Sequence, residues 1–324
     1  MTSDLRGAEQ RAYVWIWLPG ATEPVVAGVL EARGDLVVFN YGQSYLAGGE
    51  AIPLYLPELP LERGRIDPPT NMRVAGCVAD AAPDAWGQRV ILRRRFGRVG
   101  ATVDPGDLGI IDYLLESGSD RVGALDFQRS PDTYVPRIGG GSLDELLTAA
   151  ERLEEGKPFT PELDNVLLHG SSMLGGARPK ALVDANGRRL IAKFSSKHDP
   201  YPVVKAEAVA MQLAKRVGLN VASTSVVEAR GHDVLLVERF DRTAVPGQRR
   251  MLVSALTILQ LDELFGRYAT YHDLAGVIRH RFTSPSATLK ELFSRIVFNI
   301  AVGNTDDHAR NHAAFWHPHE SVSG

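Results

Sequence analysis

Residues 303–311, GNTDDHARN, place several polar side chains in one short stretch that directly follows the apolar run LFSRIVFNIAV. Within this stretch, Asp306 and Asn311 are separated by four residues. A carboxylate at the first position can accept a hydrogen bond from an attacking hydroxyl group. A carboxamide oxygen at the second position is a hard donor of the kind that Mg²⁺ takes. The pair could therefore support transfer of a phosphoryl group to a hydroxyl.

The arrangement D-x-x-x-x-N is that of the protein-kinase catalytic loop, in which the aspartate orients the substrate hydroxyl and the asparagine binds a metal ion. The same residue types also occur at the polar end of a helix, where Asn304 or Thr305 would be a cap. The spacing alone leaves both interpretations open. We predict that the apolar run before the loop is a buried helix.

A glycine-rich turn, GSSMLGGARPK, occupies residues 170–180 between a predicted short helix and a predicted strand. Glycine lets backbone N–H groups approach phosphate closely, so this turn could cover a bound phosphate. It is not a P-loop, because Gly176 stands where the Walker lysine belongs, and it does not match G-x-G-x-x-G. The alternative is a purely structural turn.

Lys193 lies among apolar residues of the predicted strand RRLIAKFSS, where an ordinary surface lysine is less expected. Glu207, on the following predicted helix, is available to pair with it, as a helix glutamate pairs with the strand lysine of protein kinases. The alternative for Lys193 is a charge on an edge strand.

The segment LLVERFDR, residues 235–242, ends a later predicted strand, where the adenine of a nucleotide would lie. Phe240 in this segment is either an adenine contact or a core residue.

The composition is that of a globular chain with no global field that would attract nucleic acid or an anionic membrane. The 324 residues are 44% hydrophobic and 23% charged, with a formal net charge of -3. The single cysteine, Cys77, excludes an intramolecular disulfide and a cysteine-based zinc site. The polar start MTSDLRGAEQRAY does not match a signal peptide, and no apolar run approaches the roughly 18 residues that span a bilayer. We therefore expect a cytoplasmic location and no membrane contact.

Local signals predict strands in the first part of the chain, with a hairpin turning at residues 33–35, and a helix beginning near Asp84. A glycine run at residues 139–141 predicts a linker, followed by a helix that Ser142 caps. Later we predict a hairpin at Asn186-Gly187, a helix that stops at Gly218, and mostly helical structure from about residue 251. The second half is thus expected to be a small β-rich lobe followed by a helical lobe.

The chain resembles the HipA family of serine/threonine kinases, the toxins of bacterial toxin–antitoxin pairs. The segments APDAWGQRVILRRR and SDRVGALDF are similar to amino-terminal segments of the family, and GSSMLGGARPKALV, LVERFDR and GNTDDHARNHAAF are similar to its kinase motifs. The resemblance implies an α+β fold with a β-rich N-terminal domain followed by an incomplete two-lobed protein-kinase-like core. The expected domains are residues 1–135 and 136–324, with a small lobe over about 136–245 and a partial helical lobe over about 246–324.

The resemblance also implies roles for individual residues, with ATP and Mg²⁺ as the cofactors. Asp306 would be the catalytic aspartate and Asn311 a magnesium ligand. The nucleotide would be bound by Lys193 at the phosphates, by Glu238 and Phe240 along the adenine, and by Gly175 and Gly176 in the covering turn.

Members of the family autophosphorylate a serine in the glycine turn, which ejects the turn and silences the kinase. Ser172 is the corresponding candidate and Ser171 the second, because this turn is one residue longer than the usual one. A phosphate there adds about −1.5 to −2 charge and would repel the ATP phosphates.

The family continues past the catalytic loop to a second metal-binding aspartate, whereas no aspartate follows Asp307 in this sequence. The resemblance therefore implies a fragment or a truncated chain, or a chain for which a partner supplies the missing part. Because electrostatic stabilisation dominates phosphoryl transfer, we expect weak or no kinase activity. The alternative function is a catalytically silent pseudokinase that binds ATP or an antitoxin.

The partners that the resemblance implies are a helix-turn-helix antitoxin of the HipB type and a protein substrate such as an aminoacyl-tRNA synthetase. DNA would be contacted only through the antitoxin complex. The basic segment ILRRRFGR is accordingly expected to be a solvated helix face.

A metal hydrolase is the other enzyme class considered, because His308 and His312 are four positions apart and two further histidines follow them. The stretch HARNH lacks the glutamate base of H-E-x-x-H, which argues against this class.

Overall fold

The computed structural model describes residues 10–96, 105–139, 141–157, 178–185, 187–196 and 199–318. The strands are β1 (Arg11–Ile16), β2 (Val25–Arg33), β3 (Leu36–Tyr41), β4 (Arg65–Ile66), β5 (Leu125–Gln128), β6 (Lys180–Ala185), β7 (Arg188–Phe194), β8 (Thr224–Ala229), β9 (His232–Glu238), β10 (Leu252–Ser254) and β11 (Ala313–Phe315). The helices are α1 (Gln43–Ala47), α2 (Gly76–Ala79), α3 (Ala85–Phe96), α4 (Ile110–Glu116), α5 (Leu143–Glu154), α6 (Val203–Arg216), α7 (Ala255–Ile258), α8 (Tyr271–Arg281) and α9 (Pro285–Ala301). This mixture confirms the α+β class.

The chain divides into two compact units, neither of which is continuous in sequence. The first unit comprises Met1–Ala81, Val122–Tyr134 and Gly247–Gly324, and the second comprises Ala82–Arg121 and Val135–Pro246. Two of the divisions, after Tyr134 and after Pro246, fall beside the predicted domain and lobe boundaries. The predicted domains themselves stay a prediction.

The first unit contains an antiparallel sheet with the strand order β4-β3-β2-β1-β5. The aromatic and β-branched residues of β1 favour a strand, and Ala12, Val14 and Ile16 alternate into the core. Arg33 pairs with Leu36, so Gly34 and Asp35 form a two-residue turn, and Gly34 has the positive φ of +62° that glycine tolerates. The predicted hairpin at this position is confirmed.

The carboxyl-terminal part of the first unit contains a short strand that the sequence did not indicate. We predicted mostly helical structure from about residue 251, but Leu252–Ser254 form β10, which pairs with β11, and the helix α7 begins only at Ala255. The prediction was wrong at these residues because the pairing partner, Ala313–Phe315, lies far away along the chain. Ser254 then caps α7 by accepting a hydrogen bond from the Thr257 amide.

The helix α9 contains the apolar run that precedes the polar loop, and we predicted it to be buried. Leu292 is the residue that the helix buries. Phe293, Val297 and Ile300 are 67%, 49% and 76% exposed. These three lie on one face of the helix because they are spaced by four and three residues. The prediction of a buried helix is therefore wrong for this face.

The second unit is built on an antiparallel sheet with the strand order β6-β7-β9-β8. The core of this unit includes Trp86 of α3, Leu146 of α5, Phe194 of β7 and Val234 of β9. Ser142 caps α5, as predicted, and the structure adds a reciprocal capping box with Glu145.

The structure of the second unit also bears on the predicted end of a helix at Gly218 and on the predicted hairpin at Asn186-Gly187. Gly218, at φ +87°, follows the end of α6, as predicted. In the hairpin of β6 and β7, Ala185 pairs with Arg188 and Gly187 has φ +75°, while Asn186 lies outside the described residues. Among the helices of the described ranges, none is both long and apolar enough to cross a membrane.

Candidate active site

Lys193, on β7 of the second unit, forms an ion pair with Glu207 on α6. The Lys193 Nζ atom is 2.5 Å from Glu207 Oε1, and the side chains are 35% and 34% exposed. Ala192 and Phe194 point into the core of the unit, so strand alternation places Lys193 on the opposite face of the sheet. The pairing expected from the sequence is therefore present, and both groups are accessible to solvent.

Beside Lys193 lies a buried ion pair that the sequence did not reveal. Lys180 of β6 is the cross-strand neighbour of Lys193. Its Nζ atom is 2.7 Å from Asp84 Oδ2, and both side chains are 4% exposed. Asp84 also accepts a hydrogen bond from the Gly87 amide in the first turn of α3. Burial lowers the pKa of Lys180 and raises the pKa of Asp84, and the attraction between the two groups opposes both shifts.

Glu238 and Phe240 lie at and just beyond the end of β9. Glu238 is half-buried and pairs with Leu190 of the neighbouring strand. Phe240 is 55% exposed, which rules out the interpretation that it is a core residue. An exposed aromatic ring at the end of a strand can stack on a planar ligand, so the predicted adenine contact stays open.

Between these residues, Arg239 is fully buried in a network of two arginines and two aspartates. Its guanidinium donates to both carboxylate oxygens of Asp241, at 2.9 and 2.8 Å, and to Asp120 Oδ1 at 3.0 Å. Arg242 donates to the same two aspartates, at 2.9 and 2.6 Å. Burial acts to lower the Arg239 pKa, but Asp241 and Asp120 raise it above its ordinary value.

This network links two of the motifs quoted above, SDRVGALDF and LVERFDR. Arg239 and Arg242 also donate to the backbone carbonyl of Arg121, at 2.6 and 2.7 Å. Arg239, Asp241 and Arg242 of LVERFDR therefore have a structural role in the second unit. This contact could not be predicted from the sequence, because the two segments are far apart along the chain.

The loop that contains Asp306 and Asn311 lies in the first unit and exposes both side chains. The Asp306 carboxylate is 82% exposed, and its Oδ1 atom is 3.3 Å from His308 Nε2. Asn311 donates from Nδ2 to the backbone carbonyl of Asp306 at 2.5 Å. The other amide atom of Asn311, Oδ1, is the hard oxygen donor that suits Mg²⁺. The donor type at this position thus fits the predicted metal.

Asp307, one residue further on, is held by three side chains. Its carboxylate accepts hydrogen bonds from the Tyr271 hydroxyl of α8 and, at 2.7 Å, from Asn299 Nδ2 of α9. His312 Nε2 lies 2.6 Å from the second carboxylate oxygen. Burial acts to raise the Asp307 pKa, but these hydrogen bonds outweigh it and the pKa is lowered. Burial, together with the hydrogen bond to Asp307, raises the pKa of Tyr271 to about 12.

Arg310 attaches the same loop to two other carboxylates. It lies 3.0 Å from Glu263 Oε2 and 3.6 Å from Asp80 Oδ1. Asp80 is buried and accepts hydrogen bonds from Ser254, through both its amide and hydroxyl groups, and from the Thr257 hydroxyl. Within GNTDDHARN, Asp306 and Asn311 are thus exposed, whereas Asp307 and Arg310 hold the loop in place.

The histidines of the loop do not assemble a metal centre with other ligands in the described part of the chain. His312 contacts Asp307, and His308 lies beside the exposed Asp306. Across the described ranges, no group of three or more histidine, cysteine, aspartate or glutamate residues is placed to hold a metal ion. The interpretation as a metal hydrolase therefore finds no support in these residues.

The predicted site residues belong to both compact units of the chain. Lys193, Glu238 and Phe240 belong to the second unit, and Asp306 and Asn311 to the first. The predicted turn residues, Ser171, Ser172, Gly175 and Gly176, lie outside the described residues. Their roles stay predictions.

Comparison with known proteins finds two family models that match different parts of the chain. The model of the HipA N-terminal domain matches residues 17–128, and that of the HipA-like C-terminal domain matches residues 172–323. The serine/threonine-protein kinase toxin HipA of Shewanella oneidensis MR-1 is 29% identical over 258 residues, which are 64% of this chain and 57% of that protein. The match thus spans just over half the length of this relative.

A second curated relative and a solved structure match more of the chain. The Sinorhizobium fredii protein named "Putative kinase Y4mE" is 25% identical over 328 aligned positions, covering 91% of this chain and 71% of that protein. The solved complex of Shewanella oneidensis HipA, HipB and operator DNA contains a chain that matches 96% of this one with a TM-score of 0.62. The identity is 21% and 74% of that chain is covered, so this similarity concerns the fold.

Proposed function

The chain belongs to the HipA family, and from this premise we propose that it is a serine/threonine protein kinase that transfers the γ-phosphate of ATP to a protein hydroxyl group. The observation that carries the proposal is the ion pair between Lys193 and Glu207. A strand lysine paired with a helix glutamate is the arrangement with which protein kinases hold ATP phosphates. The exposed Asp306 and Asn311, in D-x-x-x-x-N spacing, add the residue types that the reaction needs.

In this reaction Asp306 accepts a hydrogen bond from the attacking serine or threonine hydroxyl. The bond between the γ-phosphorus and its bridging oxygen breaks as the bond to the hydroxyl oxygen forms. The hydroxyl proton passes to the Asp306 carboxylate, and ADP leaves with the bridging oxygen. The high exposure of Asp306 suits an acceptor that is part of another protein.

Lys193 contributes positive charge toward the triphosphate, and Glu207 holds its ammonium group in place. Glu238 and Phe240 lie along the adenine, and Gly175 and Gly176 cover the phosphates. Asn311 Oδ1 would be a ligand of a magnesium ion, which, when bound, neutralises the charge of the phosphate oxygens.

We assign the finer features of the family to this chain as part of the same proposal. Ser172 is the site of autophosphorylation and Ser171 the second candidate. A helix-turn-helix antitoxin of the HipB type binds the chain, which contacts DNA only through that complex, and the complex of the Shewanella relative with HipB and operator DNA supports this assignment. The substrate is a translation component such as an aminoacyl-tRNA synthetase, and the chain acts in the cytoplasm as a toxin.

The ion pair is tested by comparing the ATP affinity of the wild type with that of Lys193→Met. Lys205→Met is the matched control, because Lys205 lies on α6, pairs with Asp233 of β9 and is 61% exposed. We expect Lys193→Met to weaken ATP binding at least about 10-fold and AMP binding far less, since its charge acts on the outer phosphates. Equal ATP affinities in both variants would contradict the proposal.

The same wild-type sample, incubated with labelled ATP and magnesium, separates the two functions that the sequence allowed. Incorporation of label into serine or threonine supports the kinase. Binding of ATP without incorporation supports the catalytically silent pseudokinase, an ATP- or antitoxin-binding module.

A further inference from the structure

Asp306 and Asp307 are adjacent in sequence, but their carboxylates have opposite surroundings. The Asp306 side chain is 82% exposed, whereas that of Asp307 is 15% exposed. An exposed carboxylate is accessible to a reacting hydroxyl. A carboxylate held by three side chains is less accessible, because these partners take three of its roughly four lone-pair sites. The sequence alone does not distinguish the two aspartates by their environment.

The partners of Asp307 come from both sides of the loop and from a neighbouring helix. Asn299 lies in the last turn of α9, before the loop, and His312 follows the loop directly. Tyr271 is the first residue of α8. One carboxylate therefore joins the chain entering the loop, the chain leaving it, and a helix packed beside α9.

Backbone hydrogen bonds extend this fixation through the loop. The Asn304 amide donates to the Asn299 carbonyl at 2.8 Å, and the Asn311 amide donates to the His308 carbonyl at 2.8 Å. Beyond the loop, the Ala255 amide donates to the His312 carbonyl at 2.8 Å. Both residues that bind Asp307 from either side of the loop are thus themselves fixed to the backbone around it.

We propose that Asp307 is the positioning residue of the phosphotransfer loop: held by Tyr271, Asn299 and His312, it fixes the backbone that carries Asp306. Asn311 is placed by the same contact, because its Nδ2 atom donates to the Asp306 carbonyl. Asp307 itself touches neither ATP nor the acceptor hydroxyl. This inference rests on the proposed function, and it assigns to Asp307 the preorganisation that transfer by Asp306 requires.

The first test compares loop mobility with turnover in two variants. Asp307→Asn removes the charge that the three partners share, and Tyr271→Phe removes a single hydroxyl. We expect amide hydrogen exchange at residues 303–312 to accelerate in both variants. The turnover number for phosphotransfer should fall about 10- to 100-fold in Asp307→Asn and less in Tyr271→Phe, since small displacements of a reacting group have large effects on rate. The KM for ATP should change less than about two-fold.

Two controls separate positioning from chemistry and from general destabilisation. Asp306→Asn should abolish transfer while leaving exchange in the loop unchanged. His272→Ala, an exposed neighbour of Tyr271 on the same helix, should change neither quantity. In the double variant Tyr271→Phe with Asp307→Asn, turnover should fall no further than in Asp307→Asn alone, because both substitutions remove the same contact.

Each outcome decides the proposal. If wild-type protein transfers phosphate but Asp307→Asn and Tyr271→Phe retain both turnover and exchange rates, Asp307 does not position the loop. Faster exchange throughout the first unit, with turnover per folded molecule unchanged, would likewise overturn it. If the wild type transfers no phosphate, the proposed function fails, and unchanged exchange in the loop would separately refute the fixation by Asp307. Should Asp307→Asn fail to fold, Tyr271→Phe provides the same comparison.

Discussion

Lys180 and Asp84 form a buried ion pair, with 2.7 Å between Nζ and Oδ2, although the two residues lie far apart along the chain. Lys180 is the cross-strand neighbour of Lys193, which is itself paired with Glu207. Two lysines of one hairpin are therefore each held by a carboxylate from a different segment. The buried pair joins the start of β6 to the start of α3, and the exposed pair joins β7 to α6.

Replacing Asp84 alone should destabilise the protein strongly. Asp84→Ala leaves the Lys180 ammonium buried without its partner, and we expect the free energy of unfolding to fall by about 3–5 kcal/mol. Adding Lys180→Met removes the unpaired charge and should restore most of this loss, apart from roughly 1 kcal/mol for the lost helix cap. Denaturant unfolding of the single and double variants measures both values. A double variant no more stable than Asp84→Ala would contradict the role of the pair.

The buried network around Arg239 predicts that a conservative substitution is not tolerated. Arg239→Lys keeps the positive charge but cannot donate to Asp241 and Asp120 with the same planar group. We expect a loss of about 2–4 kcal/mol in the free energy of unfolding, in the range for breaking a buried charged network. Arg188→Lys, at an exposed position of the same sheet, is the control and should change stability by less than about 0.5 kcal/mol. Similar values for the two variants would argue against the network.

Glu58 predicts a dependence of stability on pH. Burial raises the pKa of its carboxyl to about 7, against hydrogen bonds from the Cys77 and Gly76 amides that lower it. The folded chain keeps this proton up to about pH 7, whereas the unfolded chain releases it near the ordinary glutamate pKa of 4.5. The unfolded state therefore binds fewer protons in this interval, so this contribution to stability is present below pH 4.5 and is lost as the pH rises to about 7.

Glu58→Gln measures that contribution, because the variant has no titrating group at this position. The melting temperature of the wild type, relative to the variant, should fall as the pH rises from 4.5 to 7 and should be constant above that. A difference between the two proteins that does not change with pH would show that Glu58 has an ordinary pKa in the folded state.

Arg310 contacts one buried and one exposed carboxylate, and the two contacts should differ in strength. Glu263 is 76% exposed, so Glu263→Gln should cost less than about 1 kcal/mol. Asp80 is 8% exposed and also accepts hydrogen bonds from Ser254 and Thr257, so Asp80→Ala should cost about 2–4 kcal/mol. Thermal unfolding of both variants gives the comparison. Equal effects would mean that the buried carboxylate does not hold the loop.

Local features of the fold were predictable where the residues that determine them are neighbours in sequence. Ser142 and Glu145 lie at the start of the helix that they cap, and Gly34 lies within the turn that its positive φ allows. The pairing of Lys193 with Glu207 was also predictable, since it connects a strand to the next helix. The expected roles of the candidate site residues came from the resemblance of the quoted motifs to one family.

Contacts between distant segments could not be predicted from one sequence. Nothing local indicates that Asp84 meets Lys180, or that Arg239 meets Asp120. The exposure of the apolar face of α9 was missed for a related reason, because periodicity shows that a face is apolar and not whether another element covers it. The environment of Asp307 depends on Tyr271, whose position relative to the loop is set by packing of α8 against α9.

The most direct test of the central claim is phosphate transfer from labelled ATP by the wild type and by Asp306→Asn, measured on the same day with the ATP affinity of both proteins. We predict that the wild type incorporates label into serine or threonine, and that Asp306→Asn binds ATP with unchanged affinity but incorporates none. Transfer that persists in Asp306→Asn would remove this aspartate from the mechanism and contradict the account.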